Sequence, residues 1–362
     1  MKILTPIVHI VRRYGRVGGM ETYVWELTHS LAKLGAQIHV ICETVFDEPD
    51  GKISIHKIAS SPPKPRWKSM LQFRNLVSEA INLTFTNLDV IIHSHERSLD
   101  HHVTTFHGPP MKSGSLSWLP LINRRTKAWF TMERDEIFGP NNQMVLPVSK
   151  FIQNQLLTLY PQMSKMESMI AYPGVSPSVH GESGNTQRAD PQFKKFAFVG
   201  KEWKRKGLDI AIRIVEKFAE SQHCSLDVYG PTIEDLPRGI RKHPLINCRF
   251  WMSEIPWNNY DALVHPARSE PFGMVVLEAR SCGLPVLTTN VVGSTELELS
   301  GVIALPIDSD IETWTSALNE LCANQKNLIP ETPWTWEKLA ELHVLEIYPT
   351  VISSLGTKKD SD

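Results

Sequence analysis

The stretch Leu263 to Glu278, LVHPARSEPFGMVVLE, constrains the fold more than any other part of this chain. Its apolar start reads as a short buried strand, Pro266 and Pro271 mark a turn, and a helix is expected from near Gly273. A strand that runs through a glycine turn into a helix gathers unpaired backbone N–H groups and the positive end of the helix dipole at one spot. That is an anion site. Glu270 in the turn and Glu278 inside the helix, eight positions apart, bracket it. Carboxylates do not bind phosphate, so these two are expected to take hydroxyls beside it. Sugar hydroxyls on either side of a diphosphate fit.

The same alternation recurs along the chain. Residues 2–11 read as a buried strand, a loop with Gly15, Gly18 and Gly19 follows, and a helix runs from Met20 to about Lys33 before Gly35 stops it. Residues 37–42 read as the next strand. This opening belongs to a doubly wound α/β domain. The glycine spacing is not the dinucleotide fingerprint G-x-G-x-x-G. Further strands are expected over 88–94, 103–106, 145–149, 196–200, 226–230, 247–251 and 286–289, with helices from Leu208 and from 334 towards Tyr348. Residues 176–195 are polar and rich in turn formers, as a linker is. With 362 residues, two domains of ordinary size are expected. The end, from Ser353 onward, is expected to be a disordered tail.

A net charge of −1 gives no reason to expect a nucleic-acid partner. The halves differ, however: residues 1–180 carry 19 Lys and Arg against 14 Asp and Glu, and the remainder 19 against 25. Either the first half faces something anionic, or the difference is ordinary surface variation. The five cysteines form no CxxC or metal-like pair and read as reduced core thiols of a cytoplasmic protein. No stretch approaches the roughly 18 apolar residues of a membrane span, and the start lacks the apolar core of a signal peptide. Two basic, aromatic segments, SSPPKPRWKSMLQFRN at 60–75 and RRTKAWF at 124–130, read in one of two ways. They form a peripheral contact with the inner face of the cytoplasmic membrane, or they turn Trp67, Met70 and Phe73 inward.

Together these motifs resemble the retaining family 4 glycosyltransferases of the GT-B fold. Glu270 to Glu278 resembles the family's E-x7-E element, and Ala279 to Val286 its EA-x-x-x-G-x-P-V run. Gly18-Gly19-Met20-Glu21 is similar to its G-G-x-E loop. The run from Val199 to Gly207 is similar to its V-G-[RK]-x4-K-G signature, with Lys201 where Arg is usual, a change that keeps the charge and loses the bidentate fork. Tyr172-Pro173-Gly174-Val175, Gly293 to Glu296 and the segment from Trp334 also have counterparts in the family. The resemblance covers nearly the whole chain.

It implies two Rossmann-like domains facing each other across a cleft. Residues 1–175, completed by a helix at about 334–352, would be the acceptor domain, and residues 196–333 the nucleotide-sugar donor domain. It places Lys201, Lys206, Gly19 and the amides of Phe272, Gly273 and Met274 at the donor diphosphate, and Glu278 on the ribose. Glu270, Lys206 and His107, the last at a strand end followed by Gly108, would stand at the transferred sugar, with Gly18 and Glu21 on the acceptor side. The implied reaction is retaining transfer of a hexosyl group from a UDP-sugar to a glycan or glycolipid. The regions around Trp203–Gly207 and Met132–Phe138 look similar to lipopolysaccharide-core transferases. No D-x-D stands in a suitable loop, so the lysines and helix amides are expected to stabilise the leaving diphosphate without a metal, and no cofactor is expected. Nothing identifies a carboxylate nucleophile, which points to front-face transfer. Two other readings share the fold: a non-catalytic nucleotide-sugar-binding or assembly subunit, and a nucleotide-sugar 2-epimerase.

Overall fold

The computed structural model describes residues 5–86, 88–111, 123–176, 192–232, 234–252, 254–325 and 328–359. The chain divides into two units: Met1–Gly174 together with Trp334–Asp362, and Val175–Pro333. Most of the expected linker, residues 177–191, lies outside the described residues.

The first unit is built on a seven-stranded parallel sheet. Its strands are β1 (Ile7–Ile10), β2 (Ile38–Cys42), β3 (Ile53–Lys57), β4 (Ile91–Ser94), β5 (Val103–Phe106), β6 (Met144–Pro147) and the short β7 (Glu167–Ser168), in the order β3-β2-β1-β4-β5-β6-β7. Helices α1 (Gly19–Lys33), α2 (Arg66–Phe85), α3 (Arg124–Phe138) and α4 (Lys150–Leu159) make connections. Covered on both faces, the strands β1, β4, β5 and β6 are buried at every position, which is why they read as short continuous runs and not as alternating ones. Ser149 caps α4 by accepting a hydrogen bond from the backbone N–H of Ile152, and Asn123 does the same for α3 from Arg125.

The second unit repeats the design with six parallel strands. These are β8 (Lys194–Val199), β9 (Cys224–Tyr229), β10 (Ile246–Phe250), β11 (Ala262–His265), β12 (Val286–Thr289) and β13 (Val302–Leu305), in the order β10-β9-β8-β11-β12-β13. Helices α5 (Leu208–Ala219), α6 (Met274–Ser281) and α7 (Ile311–Asn324) accompany them. Both sheets therefore have the doubly wound Rossmann order, which reverses between β1 and β4 in one unit and between β8 and β11 in the other. The crevice beyond the carboxyl ends of such a pair is where open α/β sheets take their ligands. The loops that follow β1, β8 and β11 carry the glycine motifs.

The last segment belongs to the first unit: α8 (Trp336–Leu342), a π-helical turn over His343–Ile347, and α9 (Tyr348–Lys359). Gly174 admits it, since a Cβ there would stand 2.4 Å from the backbone nitrogen of Trp336. The Trp334 indole donates to the carbonyl of Tyr172 at 2.6 Å.

One expectation needs correction, and of the two readings of the basic, aromatic segments the inward one holds for Met70 and Phe73. Residues from Ser353 do not leave the fold as a tail: α9 continues to Lys359, with the Ser354 hydroxyl donating to the carbonyl of Thr350. Met70 and Phe73 are not presented for a membrane contact, because the inner face of α2 buries both against β1 and β4. Trp129 likewise packs against that core, with the Arg97 guanidinium 5.2 Å over its ring. No helix among the described residues is long and apolar enough to cross a membrane.

Candidate active site

In the second unit the two loops at the reversal point are joined by backbone contacts. Gly207, at φ +80°, would put a Cβ 1.9 Å from the carbonyl oxygen of Pro266, so only glycine lets the loop after β8 lie against the end of β11. The Arg268 backbone N–H donates to the Arg205 carbonyl at 2.8 Å, and the Arg268 side chain donates to the Lys204 carbonyl and pairs with Asp209. The carboxylate of Glu270 is thereby brought onto the cationic loop. Its Oε2 is ion-paired with Lys206 Nζ and, at 2.8 Å, with Arg205 Nη1, which also donates to the Ser269 carbonyl at 2.6 Å.

Burial would raise the pKa of Glu270, but the adjacent Lys206 and Arg205 outweigh it and hold the carboxylate ionised. Behind it His265 is buried and neutral: desolvation, reinforced by Lys206, lowers its pKa to about 3. Gly273, at φ +89°, is the N-cap of α6, and a Cβ there would meet Val292 at 2.6 Å. No side chain caps this helix. The backbone of the turn is tied down from the other side, with Gly293 N–H donating to the Glu270 carbonyl and Ser294 N–H to that of Phe272. What results is a cup: a helix N-terminus and two cations that share Glu270 as counter-ion, with Arg205 also paired to Glu202.

Glu278 lies in the second turn of α6. Burial pushes its carboxyl up to about 7, against the pull of Lys206. Hydroxyls that donate to the carboxylate favour its charged form, so affinity for a ribose-bearing ligand is expected to fall about tenfold per pH unit below pH 7. Stability runs the other way. A carboxyl raised above its unfolded value contributes stability below pH 4.5 that is lost as pH rises through 7. Glu278→Gln is therefore expected to stabilise the ligand-free protein at pH 8 by on the order of 2 kcal/mol, and not at pH 4.5, while weakening nucleotide binding. Thermal melts at the two pH values, with and without UDP, check both halves.

In the first unit a pocket of about 220 Å³ opens beyond the ends of β4 and β5, lined among others by His95, Glu96, Arg97, His107, Trp129 and Glu136. Arg97 is held by Glu133 at 3.1 Å and by Glu136 at 3.5 Å. Burial pushes Glu136 up to about 8 and Glu96 up to about 7. His107, lowered to about 3 by burial, is neutral. At Gly18 a Cβ would stand 2.5 Å from the tip of the Glu21 side chain, which would have to shift, while the extended backbone there suits any residue. Gly19 opens α1, and a Cβ there would meet nothing within 4 Å, so the packing of the described chain does not require a glycine at this position.

The sequence-predicted residues separate accordingly. Lys206, Glu270, Phe272, Gly273, Met274 and Glu278 converge in the second unit. Lys201 does not join them: it is exposed, and its charge acts on Asp235. Gly200, at φ +158°, turns the chain so that Lys206 folds back over it, 2.6 Å from where its Cβ would be, and Arg205 takes the place expected of Lys201. Glu21 is tied to Arg13, whose Nε donates to it at 2.8 Å. Sequence reasoning missed Arg205, Arg97, Glu96 and Glu136. Only Arg205 left a signal there, as one of the four basic residues between Lys201 and Lys206.

Comparison with known proteins covers both units. The Glycosyltransferase Family 4 profile matches residues 17–179 and the Glycosyl transferases group 1 profile matches residues 182–333. A phosphatidylinositol N-acetylglucosaminyltransferase subunit of Saccharomyces cerevisiae is 20% identical over 96% of this chain and 83% of that one. A D-inositol 3-phosphate glycosyltransferase of Kribbella flavida is 24% identical over 91% and 87%. Among solved structures, WaaG, a glycosyltransferase involved in lipopolysaccharide biosynthesis, superposes with a TM-score of 0.73 at 16% identity, over 96% of this chain and 98% of that one. Anabaena HepE in complex with UDP-glucose gives a TM-score of 0.64 at 14% identity, over 97% and 99%.

Proposed function

We infer that this chain, which belongs to the GT-B glycosyltransferases of the family 4 type, moves a hexosyl group from a UDP-sugar to a glycan or glycolipid of the lipopolysaccharide-core kind, retaining the anomeric configuration and using no metal. One observation carries the reading: Lys206, Arg205 and the open N-terminus of α6 meet at one carboxylate, Glu270. Two cations and a helix dipole are suited to a diphosphate, and a carboxylate between them is suited to the hydroxyls of the sugar it carries.

In this reading Glu270 serves as the counter-ion of Lys206 and Arg205 until the donor arrives. The cations then turn to the diphosphate and Glu270 accepts sugar hydroxyls. As the C1–O bond breaks, negative charge grows on the departing phosphate, and Lys206, Arg205 and the amides of Gly273 and Met274 stabilise it. Glu278 takes the ribose hydroxyls. The phosphate oxygen that leaves accepts the proton of the incoming hydroxyl, so no protein nucleophile is needed. The first unit supplies the acceptor side through the pocket at His107, and its excess of basic residues suits a phosphorylated acceptor.

The test is transfer of labelled sugar from UDP-glucose and UDP-galactose onto lipopolysaccharide core, with and without EDTA, and with product anomers read by NMR. Transfer with retention that EDTA leaves unchanged is expected. Strict Mn²⁺ dependence would end the metal-free mechanism. The identity to a D-inositol 3-phosphate glycosyltransferase favours one alternative acceptor: transfer only to a soluble inositol phosphate would replace the lipid-linked acceptor with that one.

A further inference from the structure

His9 and His93 stand opposite each other in the parallel strands β1 and β4. Side chains on a strand alternate between faces, so His95 shares the face of His93, and His107 that of Thr105. The face they share is buried, and contacts link it. His9 Nδ1 lies 3.0 Å from His95 Nε2, and His95 Nδ1 lies 3.1 Å from His107 Nε2. His93 stands apart, its Nδ1 at 3.0 Å from the Tyr348 hydroxyl and its Nε2 at 2.8 Å from that of Thr105. His9, His93 and His95 come close enough to hold a metal ion. That would take one nitrogen of His93 and one of His95 from the hydrogen-bond partners they already have.

Burial keeps all of these rings neutral. A neutral imidazole carries one proton, so His95, engaged on both sides, donates on one and accepts on the other. Only two proton arrangements are then possible for the chain His9–His95–His107. The choice is made at its buried end. His343 Nδ1 lies 2.8 Å from the Leu339 carbonyl, which can only accept, so the His343 proton is on Nδ1 and its Nε2 is bare. His9 Nε2 and His343 Nε2 are both buried with no partner among the described residues, and both rings pack on His93, at 5.0 and 5.5 Å between centroids. A proton on His9 Nε2 gives this buried region one donor as well as one bare acceptor. A proton on His9 Nδ1 leaves two lone pairs and no donor. The imidazole side chain by itself also favours Nε2–H.

We propose that the buried histidine chain fixes the tautomer of His107, so that it presents a bare Nδ1 to the pocket and accepts a hydrogen bond from a hydroxyl of the bound sugar. Every proton lies inward: His107 Nε2–H donates to His95, His95 Nε2–H donates to His9, and His9 keeps its proton on the buried Nε2. His9 and His95 are positioning residues, and Tyr23, edge-on to His107 at 4.8 Å, holds the ring in place. At Nδ1 itself the site takes a hydroxyl of the sugar and disfavours an anionic group, whose lone pairs would meet that of Nδ1. The tautomer rests on these contacts and on the ring's own preference; its use on a sugar rests on the glycosyltransferase reading.

The experiment is long-range ¹H–¹⁵N correlation of the histidine rings in the ¹⁵N-labelled full chain at neutral pH, without substrate. His9, His95 and His107 are each expected to show a protonated Nε2 and an imine-type Nδ1. A protonated Nδ1 on His107 overturns the proposal, as does one equivalent of bound metal in the purified protein. His95→Gln is the companion variant. Its expected signature is a His107 that no longer shows a single tautomer, with kcat/KM for transfer down about tenfold, the worth of one hydrogen bond, and UDP-induced thermal stabilisation unchanged. If His95→Gln does not fold, the spectrum of the unaltered chain still decides. UDP stabilisation with the wrong tautomer refutes only this inference, and the right tautomer without UDP binding refutes only the function.

Discussion

Lys206→Ala is expected to lower kcat/KM for sugar transfer by about 10²–10³-fold, the cost of removing one preorganised group from a developing anion. Lys201→Ala, by contrast, should change it by less than about threefold, because an exposed charge is screened by water and salt. The two lysines are equivalent in the sequence motif, and the structure separates them. Lys206 is ion-paired with Glu270, whereas Lys201 is exposed and acts on Asp235. Steady-state kinetics on both variants tests the division. Equal losses would put Lys201 back on the diphosphate, and no loss from Lys206→Ala would remove the cationic cup from the mechanism. Lys206→Arg should recover only part of the activity, since a planar fork replaces a compact ammonium between Glu270 and the diphosphate.

Gly207→Ala is expected to destabilise the second unit by about 3 kcal/mol or more, from left-handed backbone strain and a direct overlap with backbone. The new Cβ would stand 1.9 Å from the Pro266 carbonyl oxygen, and an oxygen in a strand-end backbone cannot swing aside as a side chain tip can. The melting temperature should fall by roughly 10 °C. Donor affinity should fall with it, because this contact sets where Arg205 and Lys206 stand. Gly239→Ala is the control: a Cβ there meets nothing within 4 Å, so calorimetry should show a change of no more than a few tenths of a kcal/mol. A Gly207→Ala melt equal to the control would show that the loop can shift freely, and with it the cup.

Much of this was legible because buried parallel strands and their glycine turns leave local marks. The runs around Ile7, Val103, Phe196 and Leu263 are apolar on both faces, and the turn glycines at 207 and 273 sit at positive φ where other residues strain. Elements whose pattern is weaker escaped notice. β3 and β13 are only half-buried, and α3 shows a basic outer face that read as a possible membrane contact although its other face packs inward. The division of labour between Lys201 and Lys206 depends on the turn at Gly200, which no spacing of charges reveals. The histidine chain was within reach of sequence: His93-x-His95 is strand periodicity, two rings on one face, and not a ligand spacing. Its link to His9 and His107 needs the strand order, which brings β1, β4 and β5 side by side.

The return of Trp334–Asp362 to the first unit means that the two halves of the molecule are encoded differently. One is a single uninterrupted reading-frame segment. The other is split, with its second portion translated only after the whole of its neighbour, so during synthesis the sheet that carries His93 waits for Tyr348 until the second unit has been made. Termination just before Trp334 would then spare the unit translated just before the break and damage the one begun first.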